Sequence, residues 1–315
     1  MAITNEVVTR VVTYRSLPEP PYTPGILALF EMIQKQGISL QDQQKIEEII
    51  RRNQLLSMPQ LIKTGTESGE MLQAIHTVGE WFTNANRFVR GYKALQSVCR
   101  VEAPDGSVGT GFLVGPDLVL TNYHVVSGND TEIIPENELY QKAAALTFRF
   151  GYLANGNQSQ PGYTVKSKAT STHPALQTYS EPAKLDFALL QLNEAVGTSD
   201  KFGVVALDPR EIATPENALI LQHPGGREME FHPGIIKGYN YDPQNEGKSR
   251  IHYTTNTQGG SSGSPVFDKF WNVIGLHHSG STYPKLNNPI TRETNEGIPL
   301  KAIWPYIERY IKNKA

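Results

Sequence analysis

The feature that most constrains this chain is a change of apolar period near residue 94. Downstream of it, short β-rich runs follow one another: "SVCRVE", "GTGFLVG", "LVLTNYHVV", "LTFRFGY", "DFALLQL", "ALILQHP", "RIHYTTN", "SPVFD" and "NVIGLHH". Gly, Pro, Asn or Asp separates each from the next. Regularly punctuated short strands predict an antiparallel sandwich or barrel. The chain closes on "IPLKAIWPYIERYIKNK", an amphipathic helix despite Pro305, with Lys312 and Lys314 at its negative dipole end. Upstream, from about Pro24 to Tyr92, apolar residues recur every three or four positions, which is the helical period. Ile26, Phe30 and Ile33 precede a helix stop at Gly37, and Ser39 with Asp42 caps a second segment carrying Ile46, Ile49 and Ile50. "MPQLIKT" predicts a third helix, and Leu72, Ile75, Val78, Phe82, Ala85, Val89 and Tyr92 mark a fourth from about Ser68. The expected organisation is an extended segment over 1–23, a small all-α domain over 24–94 and a β domain over 95–315.

Bulk properties narrow the class. A length of 315 residues favours two domains, and a hydrophobic fraction of 38% fits a soluble globular protein. The net charge of −2 supplies no field for nucleic acid or an anionic membrane, so neither is expected as a partner. With one cysteine, Cys99, the chain has no intrachain disulfide, which fits a reducing compartment. "LQSVCRVE" places that thiol on an alternating strand, where burial rather than nucleophilic work is expected. The N-terminus lacks a basic start leading into an apolar run, and "GILALFEMI" is short and contains Glu31. Neither a signal peptide nor a membrane span is predicted, and a cytoplasmic location follows.

One stretch, "TNTQGGSSGSPVFD" over 255–268, packs three serines among glycines and a proline. Such clusters ordinarily mark loops. A serine does chemistry only if a base takes its proton and a buried carboxylate orients that base. Of eight histidines, His124 in "TNYHVV" is the best placed, directly after an apolar strand and a short polar turn. Asp186 opens the apolar run "DFALLQL". An aspartate there is ordinarily a turn residue, but one feeding into a buried strand can also sit desolvated beside an imidazole. The adjacent His277 and His278 show no zinc spacing, so no metal or other cofactor is expected.

Taken together, "TNYHVV", "LDFALLQL" and "GSSGSP", in the order His, Asp, Ser, resemble the signatures of the chymotrypsin-like (trypsin-fold) serine proteases over roughly residues 95–315. The resemblance implies a mainly β fold, a two-barrel antiparallel protease with a C-terminal helix, here preceded by a small helical domain. It implies His124, Asp186 and Ser262 as the catalytic triad acting on a protein or peptide substrate. Backbone N–H groups of Gly260 and Ser262 would form the oxyanion hole, with glycines at 259 and 260 letting the backbone approach the substrate.

The chain departs from the secreted digestive members, which carry an Asp immediately before the nucleophile. Ser261 stands there, so activation through an ion pair to a new N-terminus is not expected. "ALILQHPGG", "VIGLHHSG" and "NEGIPLKAI" resemble bacterial intracellular trypsin-like peptidases fused to helical adaptor domains of defence systems, and more distantly the glutamyl endopeptidases and HtrA-type peptidases. By that resemblance His278, Ser279 and Gly280 form the edge strand that receives substrate by β-addition. Asn256 stands where trypsin has its pocket Asp, which disfavours basic side chains. His277 carries two readings. With Thr257 it could hydrogen-bond an acidic side chain before the scissile bond, or it could be a packed strand residue. Residues 24–94 carry three: an adaptor for a sensor protein, an inhibitory pro-segment, or a packing appendage. For the whole chain, the rivals to a serine endopeptidase are a protease scaffold kept for docking and an esterase. "GGSSG" fits an esterase elbow only by coincidence, since alternating helices are lacking and the serine comes last in order.

Overall fold

The computed structural model describes residues 85–129, 131–155, 158–168, 174–199, 202–242, 247–280 and 294–314. The expected segment over 1–23 and the first three helices lie outside these residues. Of the fourth helix, the part from Ala85 is described as α1 (Ala85–Ser97). It runs past the expected boundary at 94 and leads directly into β1 (Val98–Glu102).

The β-rich runs form two seven-stranded sheets within one unit, Lys93–Leu153 with Ser159–Ala315. The first holds β1, β2 (Val108–Gly115), β3 (Leu118–Thr121), β4 (Thr147–Phe150), β5 (Tyr163–Lys166), β6 (Leu176–Ser180) and β7 (Phe187–Gln191), in the order β5-β4-β1-β2-β3-β7-β6. The helices α2 (Tyr123–Ser127) and α3 (Glu136–Ala145) lie between β3 and β4. A bridge between Ser167 and Leu192 joins the chain after β5 to the chain after β7 and closes six of these strands. The second sheet holds β8 (Ala206–Leu207), β9 (Glu216–Gln222), β10 (Glu230–Asp242), β11 (Gly247–Tyr253), β12 (Pro265–Phe267), β13 (Asn272–Gly280) and β14 (Asn295–Pro299). Its order is β8-β13-β12-β9-β10-β11-β14, and pairing of β13 with β14 closes it as a six-stranded barrel. All pairings are antiparallel except β8 on β13, where the chain enters alongside.

Burial explains why the run after Asp186 lacks alternation. All five residues of β7 are buried. Ala188 and Leu190 face the first core, with Phe112's neighbours Leu113 and Val119 and with Phe148 and Phe150. The opposite face is covered by α4 (Leu300–Lys312), where Tyr306 meets Phe187 at a ring separation of 5.7 Å. That helix buries Leu300, Ile303 and Ile307, and Tyr310 donates to the Gln177 carbonyl of β6. The element that follows the second barrel thus straps the first. Cys99 sits in β1 fully buried, and burial pushes its thiol well up from the ordinary range. The second core is built by Ile220, Ile236, Ile251, Tyr253, Val266 and Ile274.

Candidate active site

His124 and Asp186 lie beside strand ends, the first just after β3 and the second immediately before β7, and Ser262 lies in the loop between β11 and β12. β3 ends at Thr121, Asn122 leaves the strand with φ −82° and ψ 155°, and α2 begins at Tyr123, so His124 projects from its first turn. Asp186 occupies the left-handed region at φ 39°, which Asp tolerates better than most side chains. Its conformation is locked from three sides. The Asp186 N–H donates to the Glu181 carbonyl (3.0 Å), Asn122 Nδ2 donates to the Asp186 carbonyl (2.8 Å), and the His124 N–H donates to Asp186 Oδ1 (3.1 Å). Strain of order 1–3 kcal/mol persists only where surroundings over-determine it.

The two side chains meet at 2.6 Å, His124 Nδ1 to Asp186 Oδ2. Asp186 is fully buried, and burial by itself would raise its pKa. Hydrogen bonds and positive charge from His124 and His278 outweigh that, and the carboxyl falls to about 2. It is therefore ionised at neutral pH and accepts the Nδ1 proton, which leaves the His124 Nε2 lone pair free of a proton in the neutral ring.

The serine stretch is sorted by burial. Ser261 and Ser264 are completely buried, while Ser262 between them is partly open. Ser261 Oγ accepts from the Gln258 N–H, and Ser264 Oγ donates to the Ser261 carbonyl. Each therefore has a structural task. Two peptide planes are pinned by their carbonyls. Gly259 O accepts from the Gly225 N–H at 2.5 Å, and Ser261 O accepts from both the N–H and the hydroxyl of Ser264. In a planar trans peptide the N–H points opposite its carbonyl. Fixing those carbonyls therefore aims the N–H groups of Gly260 and Ser262 outward, and neither donates to an acceptor among the described residues.

Thr110 on β2 holds this loop to the first barrel. Its N–H donates to Ser262 O and its Oγ1 to Gly260 O, both at 2.8 Å, while Oγ1 accepts from the His223 N–H. Gly263 (φ 85°) packs so tightly here that a Cβ would run into the Thr110 carbonyl and the Thr121 hydroxyl. Gly260 (φ 93°) lies against the His223 carbonyl, 2.6 Å from where a Cβ would stand. His223 is fully buried, and burial lowers its pKa to about 4.

The residues nominated for substrate binding divide. Asn256 is exposed and its Nδ2 lies 3.2 Å from His232 Nε2. Thr257 donates to Asn295 Oδ1 at 2.9 Å. His277 is buried, its Nδ1 lies 2.6 Å from the Tyr253 hydroxyl, and burial carries its pKa down to about 3, so the ring is neutral. β12 pairs with β13 between Val273 and Leu276, and beyond it the His277 N–H donates to Ser264 O. Ser279 and Gly280 keep β14 as neighbour on one side, so among the described residues their other edge is free for β-addition. The side chain of His278 turns to the first barrel, its Nδ1 2.6 Å from Asp186 Oδ2, while that of His277 meets the Tyr253 hydroxyl. Sequence reasoning therefore missed Asn295, Tyr253 and Thr110. It also missed a cluster of metal-ligand type: one donor atom from each of His124, Asp186 and His278 lies within 4.8 Å of the others. Within that cluster the Nδ1 atoms of both rings are hydrogen-bonded to Asp186 Oδ2.

Two antiparallel barrels, with an imidazole–carboxylate pair on the first and a glycine-pinned serine loop on the second, define the architecture of two-barrel serine endopeptidases. The family model of the trypsin-like peptidase domain matches residues 109–276, just over half of the chain, and the chain belongs to that family. It is 31% identical over 215 residues to an uncharacterized protein of Sinorhizobium fredii, covering 62% of this chain and 29% of that protein. It is 26% identical over 200 residues to a glutamyl endopeptidase of Staphylococcus aureus, covering 60% and 48%. The chain thus spans less than half the length of these two relatives. Among solved structures it is similar to Deg5, with 17% identity, a TM-score of 0.49 and coverage of 74% of this chain and 97% of that one. Among the described residues no helix is long and apolar enough to cross a membrane.

Proposed function

We propose that this chain hydrolyses peptide bonds with Ser262 as nucleophile, His124 as general base and acid, and Asp186 as the group that orients His124. The observation that carries the reading is the sorting of the serine loop. Ser262 alone of its three serines is open, and it is flanked by two outward-aimed N–H groups. In acylation Ser262 Oγ bonds to the peptide carbonyl carbon while its proton moves to His124 Nε2. The carbonyl oxygen becomes an oxyanion facing the N–H groups of Gly260 and Ser262. Asp186 stabilises the imidazolium, which then gives its proton to the leaving amine. Water repeats the sequence in reverse to release the acid. Each oxyanion donor contributes about 3 kcal/mol in the transition state.

A preference for acidic side chains before the scissile bond is part of the proposal, supported by the neutral His277. The single proton of the Tyr253 hydroxyl has two acceptors in reach, the Glu296 carbonyl at 3.1 Å and His277 Nδ1 at 2.6 Å, and in the tautomer in which it turns to Nδ1, His277 Nε2 carries the ring proton and donates to a carboxylate. The 26% identity to a glutamyl endopeptidase supports the same reading. The proposed setting is a regulated cytoplasmic protease of a bacterial defence or signalling system, with residues 24–94 as adaptor to a sensor protein. It rests on sequence resemblance.

The test is fluorophosphonate labelling of the full-length chain with mapping of the adduct. Ser262→Ala is expected to abolish labelling and peptide cleavage, whereas Ser261→Ala keeps most of both. Equal loss in the two variants would refute the nucleophile assignment. His277→Ala is expected to lower turnover of glutamyl peptides selectively, and a uniform loss across peptides would assign His277 to packing.

A further inference from the structure

Two imidazoles meet one carboxylate oxygen. His124 Nδ1 and His278 Nδ1 both lie 2.6 Å from Asp186 Oδ2, one from each barrel. His278 is 7% exposed and Asp186 is completely buried, so neither contact is diluted by solvent. The far nitrogen of His278, Nε2, lies 3.7 Å from Glu296 Oε1 on β14. Glu296 accepts from Arg250 Nε at 3.0 Å, and Arg250 also donates to the Lys184 carbonyl, two residues before Asp186. Imidazole, carboxylate, imidazole, carboxylate and guanidinium thus form one chain from His124 to Arg250. The groups facing it from other elements are His277 beside His278, His252 4.0 Å from Glu296, and Glu181, whose carbonyl holds the Asp186 amide.

We propose that His278 is a positioning residue for the triad: by donating to the same oxygen as His124, it fixes Asp186 and divides its charge, so the second barrel sets the basicity of His124. The inference rests on the triad reading above. The physical argument is competition. A carboxylate oxygen that accepts one strong hydrogen bond stabilises an imidazolium fully, and a second donor on the same oxygen withdraws part of that stabilisation. His278 therefore trades some pairing strength for a carboxylate that cannot rotate. Asp186 Oδ1 is tied to the His124 amide and Oδ2 to two rings.

The test is a 15N-histidine NMR titration of His124 in the full-length chain, run beside the rate of fluorophosphonate labelling at Ser262. His278→Ala is expected to raise the His124 midpoint by about 0.5–1 pH unit and slow labelling about 10-fold. His278→Asn, whose side-chain N–H₂ takes the place of Nδ1–H, is expected to restore the midpoint and most of the rate. Should the alanine variant fail to fold, His278→Leu fills the volume without a donor and serves in its place. An unchanged midpoint in the donorless variant would overturn the proposal, as would an asparagine variant shifted as far as it. The two readings separate cleanly. A shifted midpoint without labelling at Ser262 in the parent protein would sink the nucleophile assignment and leave the coupling standing.

Discussion

The two barrels are alike in topology and opposite in what they bury. The first is packed with Phe112, Leu113, Leu118, Leu120, Phe148, Phe150 and Leu189, and its one fully buried carboxyl group among the described residues is that of Asp186. The second buries His223, His252, His277, His278, Asp268 and Glu296. It also holds buried polar atoms that lack a hydrogen-bond partner in the structure, among them both ring nitrogens of His252 and the hydroxyls of Ser249, Thr255 and Thr294. Buried polar groups without partners cost free energy. The difference teaches that the first barrel is an apolar mount for the His124–Asp186 pair. The second gives up stability to hold a polar interior behind the serine loop.

That comparison can be broken by experiment. The largest effect is expected at the mount. Asp186→Asn should lower turnover about 10⁴-fold with the fold intact, because the wrong tautomer of His124 is then favoured. A loss below 10-fold, measured by steady-state hydrolysis, would remove Asp186 from its orienting role.

Stability against pH comes next. His223 and His277 have folded pKa values depressed to about 4 and about 3, against an unfolded value of 6.5. For a histidine so depressed, the unfolded chain takes up the proton first. Stability is therefore full above pH 6.5 and lost as pH falls toward 4, by up to roughly 3 kcal/mol for each such group. Asp186, depressed to about 2, works in a lower window: its contribution is present above its unfolded pKa and lost as pH falls through about 2. Urea midpoints followed by tryptophan fluorescence should thus drop between pH 6.5 and 4, before Asp186 is protonated. A flat profile in that range would deny the second barrel its buried neutral histidines.

The smallest effect sharpens the contact between the barrels. Thr110→Val keeps the shape of the side chain and removes the hydroxyl that holds Gly260 O and accepts from His223 N–H. A fall in kcat of about 10-fold with KM nearly unchanged is expected, since an oxyanion donor acts in the transition state. A change confined to KM would mean the clamp serves ground-state binding.

Much of this was legible in the chain, for reasons of range. The strand runs, the closing helix and the buried Cys99 follow from local period and composition. The order of "TNYHVV", "LDFALLQL" and "GSSGSP" marked His124, Asp186 and Ser262, and the fold brings the first two into contact. For Asn256 a position in a motif gives the backbone location but not the rotamer, and its Nδ2 lies beside His232 Nε2. Thr110 carried no signal at all, since its importance depends on a partner 150 residues away. The adjacent histidines part in the structure, His277 to Tyr253 and His278 to Asp186, at a pairing irregularity that no period-two pattern announces.

The sequence by itself determined which segments become strands, which serine stands between two glycine-rich turns, and which carboxylate enters a buried strand. These are short-range properties, carried by neighbours a few residues apart. Only the tertiary structure decided that the Gly259 carbonyl would meet the Gly225 N–H, more than thirty residues away. It alone decided that an imidazole from the second barrel would share the carboxylate of the first, which depends on the closure of one barrel against the other. No local pattern encodes a contact that exists only after two separately folded sheets have met.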